Sequence, residues 1–256
     1  MIGSLEQREV FHIAFLRQLA TVLKPNTYAV KGGTNLRLFF GSIRYSEDMD
    51  LDVTGIEVFR LKEVVQAILE SKILATTLRP FGINRIVPPD MKTAKQTETT
   101  QRFKLHLITD SREDLFTKIE FSRRRLDPNV VTEPIDMSIL SAYRLHPLLV
   151  SHYPVAIAIA QKIEALAMRS TTQARDVFDL YMLLPKLKDR GDKLKVLSQA
   201  TLKKASVNAF ELDFNLFRDT VIAYLKDEDR RFYDNKGTWE QIQIEVVNAI
   251  EEHLPR

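Results

Sequence analysis

The chain has 256 residues, which is enough for one large domain or two smaller ones. Its hydrophobic fraction of 45% and charged fraction of 28% are those of an ordinary globular protein, which excludes a disordered chain. The absence of cysteine excludes disulfides and thiolate metal sites, so any metal must be bound through oxygen or imidazole. The net charge of +3 is too small to indicate nucleic-acid binding by itself.

No segment has the pattern of a targeting or membrane-spanning sequence. The N-terminal residues lack a basic region followed by an apolar one. The longest apolar run free of charges, from Pro154 to Ala160, is far shorter than the roughly 20 residues that cross a bilayer. We therefore expect a soluble, cytoplasmic protein that does not bind a membrane.

The first half of the chain alternates between helical and strand-like hydrophobic patterns. In chain order, we predict a helix over 5–23, a strand over 28–30, a helix over 34–40, a strand over 49–53, a helix over 57–73, and strands around 76–86, 102–109 and 115–122. The polar segment 91–100 has the composition of a hairpin connection.

The second half changes character and is almost entirely helical in period. We predict helices over 154–170, 174–188, 212–226 and 238–253. The change occurs near 145–153, where prolines interrupt the pattern. The sequence therefore predicts a mixed α/β domain over residues 1–150 and a helical domain over residues 151–256.

Two acidic residues on the fourth predicted element are the strongest indication of chemistry. Asp48 and Asp50 are two residues apart, so their side chains leave the same face of a strand, and Asp52 continues that face. Carboxylates this close repel each other by about a few kcal/mol at an effective dielectric near 20. Such a pair is tolerated where it binds a divalent cation or is fully solvated, and an exposed acidic edge strand is the alternative interpretation.

The segment upstream of these acids favours the first interpretation. Gly32, Gly33 and Thr34 form a predicted turn between a strand and a helix. Backbone N–H groups in such a turn can approach a phosphate because no Cβ is in the way. Mg²⁺ is held by one or two carboxylates and completes its octahedron with water and substrate phosphates, as phosphoryl and nucleotidyl transfer require.

A third acid is available on a later predicted strand. Glu120 shares a strand face with Lys118, opposite the apolar residues Ile119 and Phe121. Glu120 is a candidate third metal ligand. A surface Lys–Glu pair on a half-exposed strand explains the same pattern equally well.

A second group of charged residues lies in the helical half. Lys162 and Arg169 are seven apart and share one helical face, and the next helix carries Asp176 and Asp179 three apart. Lys162 is a candidate for holding a triphosphate, and Asp176 for orienting it or the incoming hydroxyl. A salt-bridge cluster between two helices is the alternative. We predict that Lys162→Ala abolishes transfer and leaves the melting temperature nearly unchanged, whereas a large loss of stability would support the salt-bridge cluster.

Three basic clusters indicate either solvated surface or phosphate contacts. They lie at 123–125, along 186–204 and at 230–231. The five histidines show no ligand spacing, and we expect no special role for them.

These motifs together resemble a known family. The first reads Gly32-Gly33-Thr34-x-Leu36…Arg44-x-Ser46-x-Asp48-x-Asp50-Leu51, the second Lys118-Ile119-Glu120, and the third Lys162-x-x-Ala165-Leu166-x-x-Arg169…Arg175-Asp176-x-x-Asp179-Leu180. In this order they resemble the AbiEii/AbiGii toxin family, within the DNA polymerase β-like nucleotidyltransferase superfamily. The second motif is too short to identify the family by itself. Its acidic residue is Glu120 rather than an aspartate, which departs from the family pattern.

The resemblance implies both a fold and a biological role. It implies an α+β fold, with a polymerase β-like mixed sheet and flanking helices followed by a helical C-terminal domain that completes a nucleotide-binding cleft. Family members are toxins of toxin–antitoxin pairs or act in abortive phage infection, and some relatives add nucleotides to tRNA. The implied partners are an NTP, a tRNA or other RNA acceptor and a cognate antitoxin, and the implied cofactor is Mg²⁺ or Mn²⁺.

The resemblance also assigns roles to individual positions. Asp48 and Asp50 would be catalytic metal ligands, with Glu120 as a possible third. Lys162 and Asp176 would be catalytic residues in the third motif. The positions that would contact phosphate or shape its loop are Gly32, Gly33, Thr34, Arg44, Ser46 and Arg169.

Two alternatives remain open from sequence. In one, the same chemistry modifies a protein side chain or a small molecule. In the other, the chain binds a nucleotide or a partner protein without catalysis, since a fold does not fix a function.

Overall fold

A computed structural model of the protein describes residues 2–123, 126–190 and 197–252. The chain divides into two compact units. The first comprises residues 1–39 and 45–153, and the second comprises residues 40–44 and 154–256.

The first unit combines helices with a sheet. Its helices are α1 (Ser4–Val22), α2 (Gly32–Phe40), α3 (Val58–Leu69), α4 (Lys72–Leu78) and α5 (Met137–Ala142). Its strands are β1 (Tyr28–Lys31), β2 (Met49–Val53), β3 (Ile83–Val87), β4 (Thr100–Thr109), β5 (Asp114–Ser122), β6 (Val131–Pro134) and β7 (Leu149–His152).

The seven strands form one mixed sheet in the order β3-β4-β5-β2-β1-β7-β6. Strand β2 runs parallel to β5 and antiparallel to β1, so the strand that follows Asp48 lies at the centre of the sheet. The predicted α+β fold with a mixed sheet and flanking helices is confirmed, and β2 has the predicted bounds.

Alternating side chains give the sheet one buried face. Along β4 and β5 every second residue is buried, as Phe103, Ile119 and Phe121 show, while the residues between them are partly or fully exposed. Helix α1 packs against α3, α4 and β5, and its Phe11 and Phe15 are fully buried in the core. Within the described part of the chain, the opposite face of β4 and β5 is partly exposed, and we call it the open face.

The second unit is helical. Its helices are α6 (Val155–Met168), α7 (Ala174–Arg190), α8 (Gln199–Phe210), α9 (Phe214–Thr220), α10 (Asp227–Tyr233) and α11 (Lys236–Glu251). Helix α6 packs against α7 and α8, and α11 packs against both. Trp239 of α11 is stacked on Phe217 at 4.4 Å between ring centroids, and its indole N–H donates to the Leu212 carbonyl.

The predicted strand over 76–86 is wrong in its first half. That segment belongs to α4, followed by a short 3-10 turn at Arg79–Phe81. Leu74 and Leu78 are four apart and both buried, a helical spacing that a short apolar run conceals. Gly82, at φ +75°, ends the turn before β3 begins.

Other differences concern short elements. The predictions missed β6, β7, α5, α8 and α10, and the predicted helix over 212–226 is α9 followed by a separate 3-10 turn. Strands β6 and β7 have only four residues each, too few to show a clear period.

We expect Phe121→Ala to lower the free energy of unfolding by about 3–5 kcal/mol, because the ring is fully buried and packs edge-on against Phe103. Phe59→Ala is the matched control, since Phe59 is 64% exposed and its loss should change stability by about 0.5 kcal/mol or less. Urea denaturation followed by circular dichroism measures both. Equal losses in the two variants would contradict the assignment of the buried face.

Candidate active site

The carboxylates of Asp48 and Asp50 lie at the start of the central strand. Asp50 is paired in register with Glu120 on β5 and with Lys31 on β1. Asp48 precedes the strand, and its Oδ2 lies 3.0 Å from Lys118 Nζ. Its Oδ1 is buried and has no hydrogen-bond donor among the described residues. An acceptor left without a donor is costly, so this oxygen has spare capacity to bind a cation or a proton.

The environment of Asp50 disfavours its charge. Burial raises the pKa of this carboxyl above its ordinary value, and the nearby Glu120 and Asp48 raise it further. Lys118 and Lys31 act in the opposite direction. The carboxyl group is therefore held among charges of both signs, and an additional cation would favour its ionised form.

Gly32 supplies the space beside Asp50. Its φ of +65° lies in the left-handed region, and a Cβ at this position would sit 3.3 Å from Asp50 Oδ2. Helix α2 begins here, so its first N–H groups, including that of Gly33, have no partner within the helix. The predicted glycine turn thus stands directly beside the acidic pair.

Two hydroxyl groups hold the backbone at Asp48. Thr34 Oγ1 and Ser46 Oγ donate to the Asp48 carbonyl oxygen at 2.9 and 2.7 Å. Both residues were predicted to be nucleotide-binding. In this structure their hydroxyl groups fix the position of Asp48.

A buried chain of hydrogen bonds supports the same loop from α1. Thr117 Oγ1 donates to the Glu47 carbonyl at 2.7 Å, and His12 Nε2 lies 3.0 Å from that Oγ1. Because the Thr117 hydroxyl proton is used towards Glu47, His12 Nε2 is the donor in its contact with Thr117 Oγ1. Burial, assisted by Arg8, lowers the pKa of His12 to about 3. No pattern in the sequence indicates this role of His12.

The carboxylates of Asp52 and Glu120 both accept hydrogen bonds from other side chains. Asp52 is 8% exposed, and its carboxylate accepts from Lys31 Nζ and, at 2.7 Å, from the Tyr153 hydroxyl. Glu120 accepts from Arg102 Nε at 2.6 Å and lies 3.9 Å from Lys118 Nζ. Neither interpretation of Glu120 anticipated Arg102, because the partner lies on a different strand.

No group of three or more acidic or imidazole side chains that could hold a metal occurs among residues 2–123, 126–190 and 197–252. Glu120 is therefore not gathered with Asp48 and Asp50 into a three-ligand cluster. A metal at this site would have two carboxylate ligands from the described chain.

The third-motif residues meet in the second unit. Lys162 Nζ lies 2.8 Å from Asp176 Oδ1 and 2.5 Å from Asp179 Oδ2, and both aspartates are fully buried. Arg169 binds the other oxygen of Asp176 at 2.7 Å, and Arg44 forms two hydrogen bonds with Asp179. We call these five residues the helical ion-pair cluster.

The helical ion-pair cluster is the alternative that the sequence left open, so its roles in binding phosphate stay predictions. Burial alone would raise the pKa of Asp179, but Arg44 and Lys162 outweigh it and hold that pKa below its ordinary value. Three cations face two carboxylates, which leaves one net positive charge. Arg169 is the most accessible cation, with a side chain 40% exposed against 9% for Lys162 and 5% for Arg44.

The predicted basic clusters are only partly described. Residues 124–125 and 191–196 lie outside the described part of the chain. Arg123 donates to the Ile56 carbonyl and to Gln101, and Arg230 donates to the carbonyls of Ile222 and Ala223, so both guanidinium groups have structural partners. Lys203 and Lys204 are exposed on α8.

The burial of Lys162 changes the stability expected of the Lys162→Ala variant. From sequence, Lys162→Ala was expected to leave the melting temperature nearly unchanged. The structure instead predicts a loss of about 3 kcal/mol, the lower end for breaking a buried ion pair, because Asp176 keeps Arg169 and Asp179 keeps Arg44. Urea denaturation measures the loss, with Lys203→Ala on α8 as the control. A change as small as the control's would show that the cluster contributes nothing to stability.

His12 predicts a specific dependence of stability on pH. Between its ordinary pKa of 6.5 and its folded-state pKa of about 3, the unfolded chain binds a proton that the folded chain does not. The free energy of unfolding should therefore fall by about 1.4 kcal/mol for each pH unit below 6.5. His12→Gln keeps a donor for Thr117 and should remove this component, whereas His146→Gln, at an exposed position, should not. Parallel pH profiles for wild type and His12→Gln would refute the buried neutral histidine.

Two solved structures of other proteins have folds similar to that of this chain. The structure of JHP933 from Helicobacter pylori is 17% identical with a TM-score of 0.57, over 99% of this chain and 93% of that one. The structure described as "MenT4, nucleotidyltransferase toxin Rv2826c from Mycobacterium tuberculosis H37Rv" is 16% identical with a TM-score of 0.57, over 97% and 84%. A comparison with curated protein sequences found no match.

The sequence pattern of one family covers most of the chain. The family is described as "Nucleotidyl transferase AbiEii toxin, Type IV TA system", and it matches residues 14–249, which include Asp48, Asp50 and the helical ion-pair cluster. The match confirms the family resemblance seen in the three motifs. The chain belongs to the AbiEii nucleotidyl transferase toxin family of type IV toxin–antitoxin systems.

Proposed function

We propose that this protein uses Mg²⁺ or Mn²⁺ to transfer a nucleotidyl group from an NTP to a hydroxyl group of RNA, with tRNA as the first acceptor to test. Growth inhibition, opposed by a cognate antitoxin, would follow from that modification in the cytoplasm. Membership of the family supports nucleotidyl transfer, the toxin role and the existence of an antitoxin. No helix in the described part of the chain is long and apolar enough to cross a membrane.

The observation that carries the proposal is the unsatisfied oxygen of Asp48 beside Asp50. Two carboxylates on one edge of β2, one with a buried oxygen that lacks a donor, are a donor set that suits a hard divalent cation. Mg²⁺ needs only one or two protein carboxylates, so the engagement of Glu120 by Arg102 does not argue against it. When bound, the metal would neutralise the triphosphate and align the reacting oxygens.

The remaining parts of the first unit suit the same reaction. The first N–H groups of α2 are available to phosphate oxygens beside the acidic pair. Thr34 and Ser46 fix the Asp48 backbone, and Lys118 supplies a positive charge at its carboxylate. Positioning and charge compensation are the main contributions that a protein makes to nucleotidyl transfer.

The transfer needs no reactant besides the NTP and the acceptor hydroxyl group. The acceptor hydroxyl oxygen forms a bond with the α-phosphorus of the NTP, and the bond from that phosphorus to the bridging oxygen of the β-phosphate breaks. Pyrophosphate leaves with the electron pair, and the hydroxyl proton passes to solvent. For the second unit, we propose that Arg169 contacts phosphate, because it can do so without breaking the buried bonds of Lys162 and Arg44.

Purified protein incubated with each α-labelled NTP, Mg²⁺ and total tRNA tests the proposal. Label should appear on RNA, should disappear when EDTA removes the metal, and should return on adding Mg²⁺ or Mn²⁺. Label on a protein or a small molecule from an added extract, with none on RNA, would contradict the RNA acceptor. Transfer that continues undiminished in EDTA would contradict the proposed dependence on a divalent metal.

We expect Asp48→Asn and Asp50→Asn each to lower the rate of transfer by at least about a hundredfold, because each removes a carboxylate that would hold the metal at the triphosphate. Asp227→Asn on α10 is the matched control, since that side chain is 88% exposed. Melting temperatures confirm that the variants fold, and growth assays on expression measure toxicity. Full transfer in both aspartate variants would contradict the role assigned to the two acids. No transfer by the wild type with any acceptor, together with full toxicity of both variants, would support a non-catalytic binding role instead.

A further inference from the structure

The open face of β4 and β5 carries a group of basic and aromatic side chains. Arg102, Lys104 and His106 alternate along β4, and Phe116 and Lys118 alternate along β5. All five lie on the face opposite the core, because their strand neighbours Phe103, Leu105 and Ile119 are fully buried. We call these five residues the open-face platform.

The strand register places the platform directly beside the acidic pair. Lys104 is paired with Lys118 across the two strands, and Lys118 Nζ lies 3.0 Å from Asp48 Oδ2. His106 is paired with Phe116 in the next position on this face. An extended ligand that starts on the His106–Phe116 pair and continues over the Lys104–Lys118 pair would therefore reach Asp48, which lies beside Lys118.

The charges of the platform favour an anionic ligand. Two lysines directly opposite each other on antiparallel strands repel. Asp48 compensates Lys118, and Glu120 compensates Arg102. Lys104 is exposed, and no carboxylate lies within ion-pairing distance of it in the parts of the chain that the structure describes. A phosphate group at Lys104 would relieve the repulsion between the two ammonium groups.

The aromatic residues supply a surface for a base. The rings of Phe116 and His106 meet edge to face at 5.6 Å between centroids, and both are partly exposed. Asp114 Oδ1 lies 2.8 Å from His106 Nδ1 and fixes the orientation of the imidazole. An exposed sheet face with aromatic rings between cations is suited to unstacked bases and a phosphate backbone.

We propose that the open-face platform binds the single-stranded end of the RNA acceptor and leads its terminal hydroxyl to Asp48 and Asp50. Lys104 contacts a backbone phosphate, and Phe116 with His106 stacks on a base. This inference rests on the proposed transfer to RNA and specifies the surface that recognises it. The choice of a single strand follows from the flat face, because an aromatic ring can stack only on a base that is not already paired and stacked.

The test uses the full chain, a fluorescent single-stranded RNA of twelve nucleotides and the same RNA in a blunt duplex. We expect the wild type to prefer the single strand. Phe116→Ala should weaken its binding by about 5-fold to 150-fold, the range for losing one stacked base. Lys104→Ala should lower the slope of log affinity against log salt by about 0.7, the value for one phosphate contact on a single strand.

Lys72→Ala is the matched control, because it removes the same charge from an exposed position on α4, outside the predicted basic clusters. It should leave both affinity and slope near the wild-type values. Thermal stabilisation by NTP with Mg²⁺ should be unchanged in the Lys104 and Phe116 variants, since neither residue contacts the acidic pair. Transfer to RNA should fall in both variants in parallel with binding.

The outcomes separate the two proposals. If the wild type transfers label to RNA but Lys104→Ala and Phe116→Ala bind and react like the control, the platform is refuted while the proposed function stands. If the wild type binds duplex more tightly than the single strand, the platform is also refuted. If the wild type labels no RNA and these variants leave modification of another acceptor unchanged, both proposals fail.

Discussion

Three carboxylates on one face of two adjacent strands form the constraint on which the first unit depends. Asp48, Asp50 and Glu120 repel one another, and burial raises the pKa of Asp50, so the fold must supply positive charge close to them. Lys118 and Lys31 supply it from the neighbouring strands, and Arg102 supplies it from one strand further away. The compensation is incomplete, because one oxygen of Asp48 has no donor among the described residues. A site that is fully neutralised by its own side chains would have little affinity for a metal and a triphosphate.

The second unit has the opposite charge balance, with more cations than carboxylates. Its helical ion-pair cluster has one more cation than carboxylates, and the two aspartates are fully buried. Each aspartate binds two cations, so removing a single cation leaves neither carboxylate without a partner. Such a network fixes the positions of Lys162 and Arg169 more firmly than solvated side chains would be fixed. Excess positive charge held in place by ion pairs is consistent with the proposed contact between Arg169, the most accessible of the three cations, and phosphate.

The sequence predicted the parts of the site that depend on local spacing. The bounds of β2, the shared face of Asp48 and Asp50 and the position of the glycine turn all follow from residues within about 20 positions of one another. The sequence did not predict which side chains contact those residues, because such contacts depend on strand register and on packing between distant segments. Arg102 meets Glu120 only through the pairing of β4 with β5, and Arg44 meets Asp179 across 135 residues. His12 was dismissed because its role is to donate to Thr117, a contact that no ligand spacing encodes.

The proposed transfer of a nucleotidyl group requires that one face of the sheet stay accessible. Side chains on β2 must stay accessible to a nucleotide, and the parallel pairing of β2 with β5 puts Lys118 and Glu120 at the same edge. Antiparallel β4 then extends that face away from the acids, so any residue placed there is automatically at a fixed distance from the reacting centre. Core packing determines the buried half of each strand, whereas the exposed half of β4 is free to vary. Under the proposed function, the acceptor could therefore change through residues such as Lys104 without any change in the two acids proposed to bind the metal.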